Sequence, residues 1–173
     1  MSDTIEKVRV YGDPVLRKKT DPVTVFDEKL AGFIDDMIDC MFENKGIGLA
    51  APQVGVSEKI IVIDKSLGES VDDVMVLINP DIYDSEGEAT IEEGCLSVPG
   101  VWEEVVRPEK ISVRYRDING GNHDDEADGM LARVIQHEAD HLEGILFVDR
   151  ISTVKRQLLA KTLKSITENG GPV

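Results

Sequence analysis

Gln136-His137-Glu138-Ala139-Asp140-His141 closes an amphipathic stretch late in the chain, and its reading organises everything else. On a helix, residues four apart share a face, so His137 and His141 can grip one metal ion. Glu138 follows the first of them, where a carboxylate can act as general base on a water molecule at that metal. The same spacing also arises on ordinary solvated helices, so these six residues alone leave both readings open. Upstream, Met130 and Val134 fall in line with the two histidines at spacings of 4, 3 and 4. A buried helix over about 129–142, with metal ligands at one end and an apolar floor beside them, has this pattern. Gly144 is its expected stop.

Elsewhere the periodicity changes. Leu30, Ile34, Met37 and Met41 recur at helical spacing, predicting a helix over about 26–44 that ends near Gly46. Cys40 lies within it and reads as a small core residue. Strand-like runs cover 59–63, 74–78 and 110–116, the last alternating Ile111, Val113 and Tyr115 with polar neighbours before the hairpin signal Asn119-Gly120. Ser152 can cap a further helix reaching to about Glu168, before Asn169-Gly170-Gly171-Pro172 breaks it. Helices and strands do not alternate as in a doubly wound fold. The expected class is α+β, with largely antiparallel sheets packed around the His-Glu-x-x-His helix and a helix at the C-terminus.

A chain of 173 residues with 41% hydrophobic and 31% charged side chains suits one buried domain, taken as 1–173. Its net charge of −15 disfavours broad affinity for nucleic acid, because phosphates are bound by Lys and Arg. The charge is uneven. Residues 150–173 carry five basic side chains against Glu168 alone, leaving 14 basic against 33 acidic elsewhere. The amphipathic helix at 152–168 is therefore basic on an acidic body. No apolar run approaches the roughly 18 residues of a membrane span, and no signal-peptide pattern opens the chain. A cytoplasmic setting with reduced thiols is expected, although Cys40 and Cys95 could in principle pair.

A catalytic metal typically keeps three protein ligands and an open position. The only other histidine, His123, lies in the acidic run His123-Asp124-Asp125-Glu126 and reads as a solvated loop or strand-edge residue. Cys95 is the better third ligand. It stands in Glu92-Glu93-Gly94-Cys95-Leu96-Ser97-Val98-Pro99-Gly100, where Gly94 permits unusual backbone geometry and Pro99 stiffens the exit. Taken alone, a cysteine such as Cys95 is more often a buried structural thiol. Gly46-Ile47-Gly48-Leu49-Ala50-Ala51-Pro52-Gln53-Val54-Gly55 is rich in small residues that let another backbone approach. Gln53 there can donate to a developing oxyanion. A tightly packed loop would look similar.

Together the three segments say more than each alone. Gly46 to Gly55, Glu93 to Pro99 and Gln136 to Gly144 resemble, in order and spacing, the three signature motifs of the peptide deformylases. Tyr11-Gly12-Asp13-Pro14-Val15-Leu16-Arg17 resembles the family's N-terminal segment, and Ile145-Leu146-Phe147-Val148-Asp149-Arg150 resembles the stretch just after its third motif. The resemblance implies Cys95, His137 and His141 as metal ligands, holding Fe(II) with zinc, nickel or cobalt able to substitute. It implies hydrolysis of the N-formyl group from the first methionine of nascent chains, with Glu138 as general acid and base. Gln53 and the Leu96 backbone N–H would serve as oxyanion donors, and the Gly48 backbone would bind the peptide. Ile47, Ile91, Met130, Val134 and His137 would line the methionine pocket. Arg133, near that pocket's rim, is expected to snorkel to solvent. A basic C-terminal helix contacts the ribosome in related bacterial enzymes, and Lys155, Arg156, Lys161 and Lys164 hold matching positions. A monomer with no membrane contact is expected.

Three other readings compete, one of them a catalytically inactive binding module on the same fold, against which the retention of Glu138, Gln53 and all three ligand residues argues. Metallopeptidases share the His-Glu-x-x-His helix but usually take a third His or Glu from downstream, and no downstream His exists here. A structural metal site would close with four protein ligands.

Overall fold

The computed structural model describes residue 5 and residues 7–170. Helix α1 (Glu28–Glu43) is followed by strands β1 (Gly48–Ala50), β2 (Ile60–Asp64), β3 (Val74–Glu86), β4 (Ala89–Cys95), β5 (Val98–Arg107), β6 (Lys110–Arg116) and β7 (Asn122–Asp128). Helices α2 (Gly129–Leu142), α3 (Thr153–Leu158) and α4 (Ala160–Asn169) complete the order. Five strands form an antiparallel sheet ordered β1-β2-β3-β6-β7, while β4 and β5 make a separate two-stranded ribbon. The fold is α+β.

β2 explains why helices lie on both faces of the sheet. All five of its residues are buried, so both faces of the strand must be covered. Strand alternation sends Ile60 and Val62 to one side, where they pack with Leu30, Ile34, Met37 and Met41 of α1. Ile61 and Ile63 go to the other side and meet Ala132, Val134, Ile135 and Leu142 of α2. The ribbon packs elsewhere, with Val98, Val101 and Val105 against Phe147, Val148 and the Leu163 and Ile166 pair of α4. Helix α2 is thus caught between the large sheet and the ribbon. Its buried residues include Arg133, Gln136, His137, Glu138, Asp140 and His141.

Four of the expected elements match closely, at 28–43, 60–64, 110–116 and 129–142. The expected 74–78 strand continues to Glu86 as β3, passing irregularities at Ile78–Asp81 and Ile82–Asp84. β1, β4, β5 and β7 carry no strand signal in the sequence, because they are short, interrupted by Gly and Pro, or acidic. In β7 only Ala127 is buried. Partner chemistry holds that strand: Tyr115 Oη donates to Asp125 and stacks on His123, and Arg114 pairs with Asp124. His123 is therefore an edge-strand residue bonded to Asp117, remote from any ligand role. The Asn119-Gly120 signal is the β6–β7 turn, with Gly120 at φ +80°. The C-terminal helix is divided at Leu159, whose N–H is shared between Lys155 O and Arg156 O. No helix among the described residues is long and apolar enough to cross a membrane. Cys40 and Cys95 are both free thiols.

The exit of α2 is tied to distant segments. Gly144 takes φ +73°, and a Cβ there would stand 2.6 Å from the Arg17 carbonyl oxygen. Asp149 accepts from Leu146 N, from Arg17 and from Arg156, joining the N-terminal segment to α3. Gly144→Ala is expected to cost about 2–3 kcal/mol in urea denaturation, since it adds left-handed strain to a backbone clash. Although burial opposes its charge, the Asp149 carboxyl is held below its ordinary value by Arg17 and the Leu146 amide. Its stabilisation is therefore complete above the ordinary carboxylate range and fades as pH falls through and below it. Asp149→Asn should flatten that acid limb of the stability–pH curve.

Candidate metal centre and its supports

Helix α2 projects His137 and His141 on one face, and the end of β4 brings up Cys95. The three ligand atoms lie within 4.8 Å of one another. Cys95 Sγ stands 3.4 Å from His141 Nε2. His137 Nδ1 bonds Glu93 Oε1 at 2.7 Å, which leaves Nε2 for a metal. One sulfur and two nitrogens, with a fourth direction open, form a donor set that suits a catalytic metal. Two buried polar atoms beside it, Glu138 Oε2 and His141 Nδ1, have no hydrogen-bond partner among the described residues. A buried oxygen costs free energy when unpaired, so its persistence next to a ligand set points to a water or substrate group.

Electrostatics distinguish three of the titratable groups on α2. Burial pushes the Glu138 carboxyl up to about 7. Burial also holds His141 well below its ordinary value, aided by His137 and Arg107, so the ring is neutral. At His137 burial opposes the charged ring, but the Cys95 sulfur and the Glu93 carboxylate outweigh it and raise the value.

Behind His137 lies a buried ionic network. Glu93 Oε2 accepts from Arg107 Nε and Arg133 Nη1, both at 2.7 Å, and Oε1 accepts from Arg107 Nη2 at 3.0 Å. Arg107 continues to Asp140 at 2.8 Å, and Asp140 also holds Arg150. Burial disfavours the Glu93 charge, yet His137 and Arg107 hold its carboxyl far below the usual range. The expected solvent-directed Arg133 is corrected here. Its residue is 3% exposed, and its guanidinium also donates to the carbonyls of Val105 and Ala89 at 2.8 Å. The β4–β5 ribbon covers that side of α2, so the charge is satisfied inside rather than at the rim. Glu93, Arg107 and Asp140 carried no assigned role in the sequence reading. The available signals were a carboxylate two residues before Cys95 and an Arg directly after Val105-Val106.

The glycine-rich segment supplies β1 and a 3₁₀ turn over Ala51–Val54. A Cβ on Gly48 would lie 2.7 Å from Glu138 Oε1 and 2.9 Å from Val134 Cγ1, so β1 presses directly on α2. Gln53 is buried; its Oε1 accepts from Ala50 N, and Nε2 donates to Ser97 Oγ at 3.1 Å and reaches Cys95 Sγ at 3.5 Å. Ile47 and Val134 share one cluster. Ile91 is half-buried on the same strand face as Glu93, and Met130 is 39% exposed one turn before Val134. Leu96 packs against the α1 cluster. Gly94 is needed for space rather than for its backbone angle, since a Cβ would meet the Trp102 ring at 2.5 Å. A separate cavity of about 420 Å³ on the other side of α2, lined by Lys59, Asp81, Asp140 and Arg150 among others, contains no triad residue.

The basic C-terminal side chains are largely occupied. Lys155 pairs with Glu103, Arg156 with Asp149 and Lys164 with Glu168. Removing the hub of the internal network should be severe. Glu93→Ala would strand two buried guanidinium groups and is expected to cost about 3–5 kcal/mol in urea denaturation. Metal affinity, read by competition with a chelating dye, should fall about 10–100-fold.

The chain is similar to known proteins along nearly its whole length. The family model for polypeptide deformylase matches residues 5–157. A peptide deformylase of Acidobacterium capsulatum is 46% identical over 166 residues, covering 96% of this chain and 98% of that protein. The crystal structure of a Legionella pneumophila peptide deformylase superposes with a TM-score of 0.86 at 43% identity, covering 94% and 95% of the two chains. A Plasmodium falciparum peptide deformylase gives 0.90 at 38% identity, covering 94% and 96%. With the family model matched over residues 5–157 and a relative 46% identical along 96% of the chain, this chain belongs to the polypeptide deformylase family.

Proposed function

We propose that this protein hydrolyses the N-formyl group from the starting methionine of newly made chains and releases formate. Cys95, His137 and His141 hold the metal, Fe(II) in the cell, although one thiolate and two imidazoles suit zinc as well. The observation that carries the reading is the convergence of those three donors beside the buried, unpartnered Glu138 oxygen. When bound, the metal supplies Lewis-acid activation of water near neutral pH.

The remaining work falls to side chains and backbone. Glu138 takes a proton from the attacking water as its oxygen adds to the formyl carbon. It then returns a proton to the amine nitrogen as the C–N bond breaks. Gln53 Nε2, held beside Cys95, and the Leu96 backbone N–H donate to the negative charge growing on the formyl oxygen. β1 is a sheet edge and β4 is paired only to β5, so an extended peptide can bond main chain to main chain there, with Gly48 contributing. Ile47, Ile91, Met130, Val134 and the His137 ring form the methionine pocket. The chain acts as one catalytic domain over 1–173, a cytoplasmic monomer. A ribosome contact would fall on the C-terminal helix, where Lys161 is the basic side chain without an acidic partner among the described residues.

The decisive experiment is formate release from formyl-Met-Ala-Ser by protein purified anaerobically with Fe(II). Glu138→Gln should lower kcat about 10²–10⁴-fold with metal content unchanged, and Gln53→Ala about 10²–10³-fold. Chelation of the metal should abolish turnover. An internally cleavable, unformylated peptide should remain intact; its cleavage would favour the peptidase reading.

A further inference from the structure

Trp102 is the chain's only tryptophan, and it stands 65% exposed on β5. Tryptophan, an apolar ring with one polar N–H, is a side chain enriched at contact surfaces. The ring is not loose. Three of its six-membered-ring atoms lie 2.5–2.7 Å from where a Gly94 Cβ would stand, so it rests on the backbone that leads into Cys95. Residues two apart on a strand share a face. Trp102, Glu104 and Val106 therefore lie together on the outer face of the ribbon, with Glu92 opposite Glu104. Like charges directly opposite weaken a strand pair, and neither carboxylate has an ion-pair partner among the described residues. Fold stability does not account for this face.

The active site does, on the reading proposed above. A peptide lying along the free edge of β4 with its formyl group at the triad can leave in one direction only. Beyond Cys95 the way is closed: Ser97 and Val98 are fully buried, and Ser97 is bonded to Tyr11 and Gln53. Back from Gly94 the strand opens at Glu92 and Thr90, which are exposed. If methionine turns inward to Val134, the next side chain of an extended peptide turns outward, to the side of Trp102 and Glu92.

We infer that Trp102 is a specificity-determining residue that receives the side chain following formyl-methionine and, with Glu92 and Glu104, favours lysine or arginine there. A cation over the indole face gains from the ring's electron-rich surface, and the two carboxylates add charge complementarity.

The test compares formyl-Met-Lys-Ser, formyl-Met-Ala-Ser and formyl-Met-Glu-Ser on the Fe(II) enzyme. The lysine peptide should exceed the alanine peptide in kcat/KM by about two- to fivefold, through KM, with the glutamate peptide poorest. Trp102→Ala, which leaves both carboxylates in place, should lower the lysine-to-alanine ratio about twofold, and Trp102→Ala combined with Glu92→Gln should bring it to about one. Glu92→Gln, which leaves the indole packing in place, should lower the ratio about twofold. Since Trp102 is the sole indole, titrating unaltered protein with the unreactive product Met-Lys-Ser should change its fluorescence at saturation. A flat titration, or a lysine-to-alanine ratio unchanged by Trp102→Ala, overturns the assignment while formyl-Met-Ala-Ser turnover persists. Loss of that turnover in the unaltered protein would instead overturn the deformylase reading on which the assignment rests.

Discussion

The Glu93 carboxylate accepts hydrogen bonds from Arg107 of β5 and from Arg133 and His137 of α2, and the position of the candidate metal centre depends on that junction. Burying a carboxylate costs on the order of several kcal/mol, and so does burying each guanidinium. The junction is tolerable because nearly every donor and acceptor in it is used, including the Val105 and Ala89 carbonyls taken by Arg133. An apolar contact could slide by an ångström at little cost; this network cannot. It therefore fixes the β4–β5 ribbon against α2 in one register, so that Cys95 arrives opposite His137 and His141.

Around that junction, α2 divides its surface between two neighbours of different character. Val134, Ile135 and Leu142 pack with the sheet through Ile61, Ile63 and Leu77, an apolar contact that sets the depth of the helix. Arg133 and His137 face the ribbon through polar contacts that set its orientation. Asp140, one turn on from His137, extends the ionic chain to Arg150 and ties the exit of the helix to the same assembly. Phe147 completes the enclosure by stacking on the His137 ring at 6.0 Å between centroids. The three candidate metal ligands thus sit where an apolar layer and an ionic layer meet.

This arrangement separates the protein from the metallopeptidases that share its helix motif. A third ligand taken from an upstream strand, rather than from downstream on the chain, places a sulfur at the centre and brings the next residues, Leu96 and Ser97, beside Gln53. Gln53 is held at both ends, accepting from Ala50 and donating to Ser97, so its amide is oriented before any substrate arrives. Preorganised donors of that kind stabilise developing charge without a reorganisation cost.

Much of this was legible in the residues themselves. The 129–142 helix, its two histidines and its glycine stop are encoded within a contiguous stretch, and local periodicity needs no partner to be read. The alternation in 110–116 and the Asn119-Gly120 turn are equally local. The ribbon and β7 are not, because β4, β5 and β7 become strands only by pairing, and their acidic, glycine-interrupted sequences carry no periodic signal. The fate of Arg133 has the same cause: at a helix edge it reads as a solvent-directed side chain, and only the ribbon laid over it supplies Glu93 and two carbonyls. Sequence alone determined which side chains could bind a metal and move a proton. Tertiary structure decided which carboxylate holds His137, where Gln53 points and what rests on Gly94, because those relations join residues between 8 and 44 positions apart that no local rule connects.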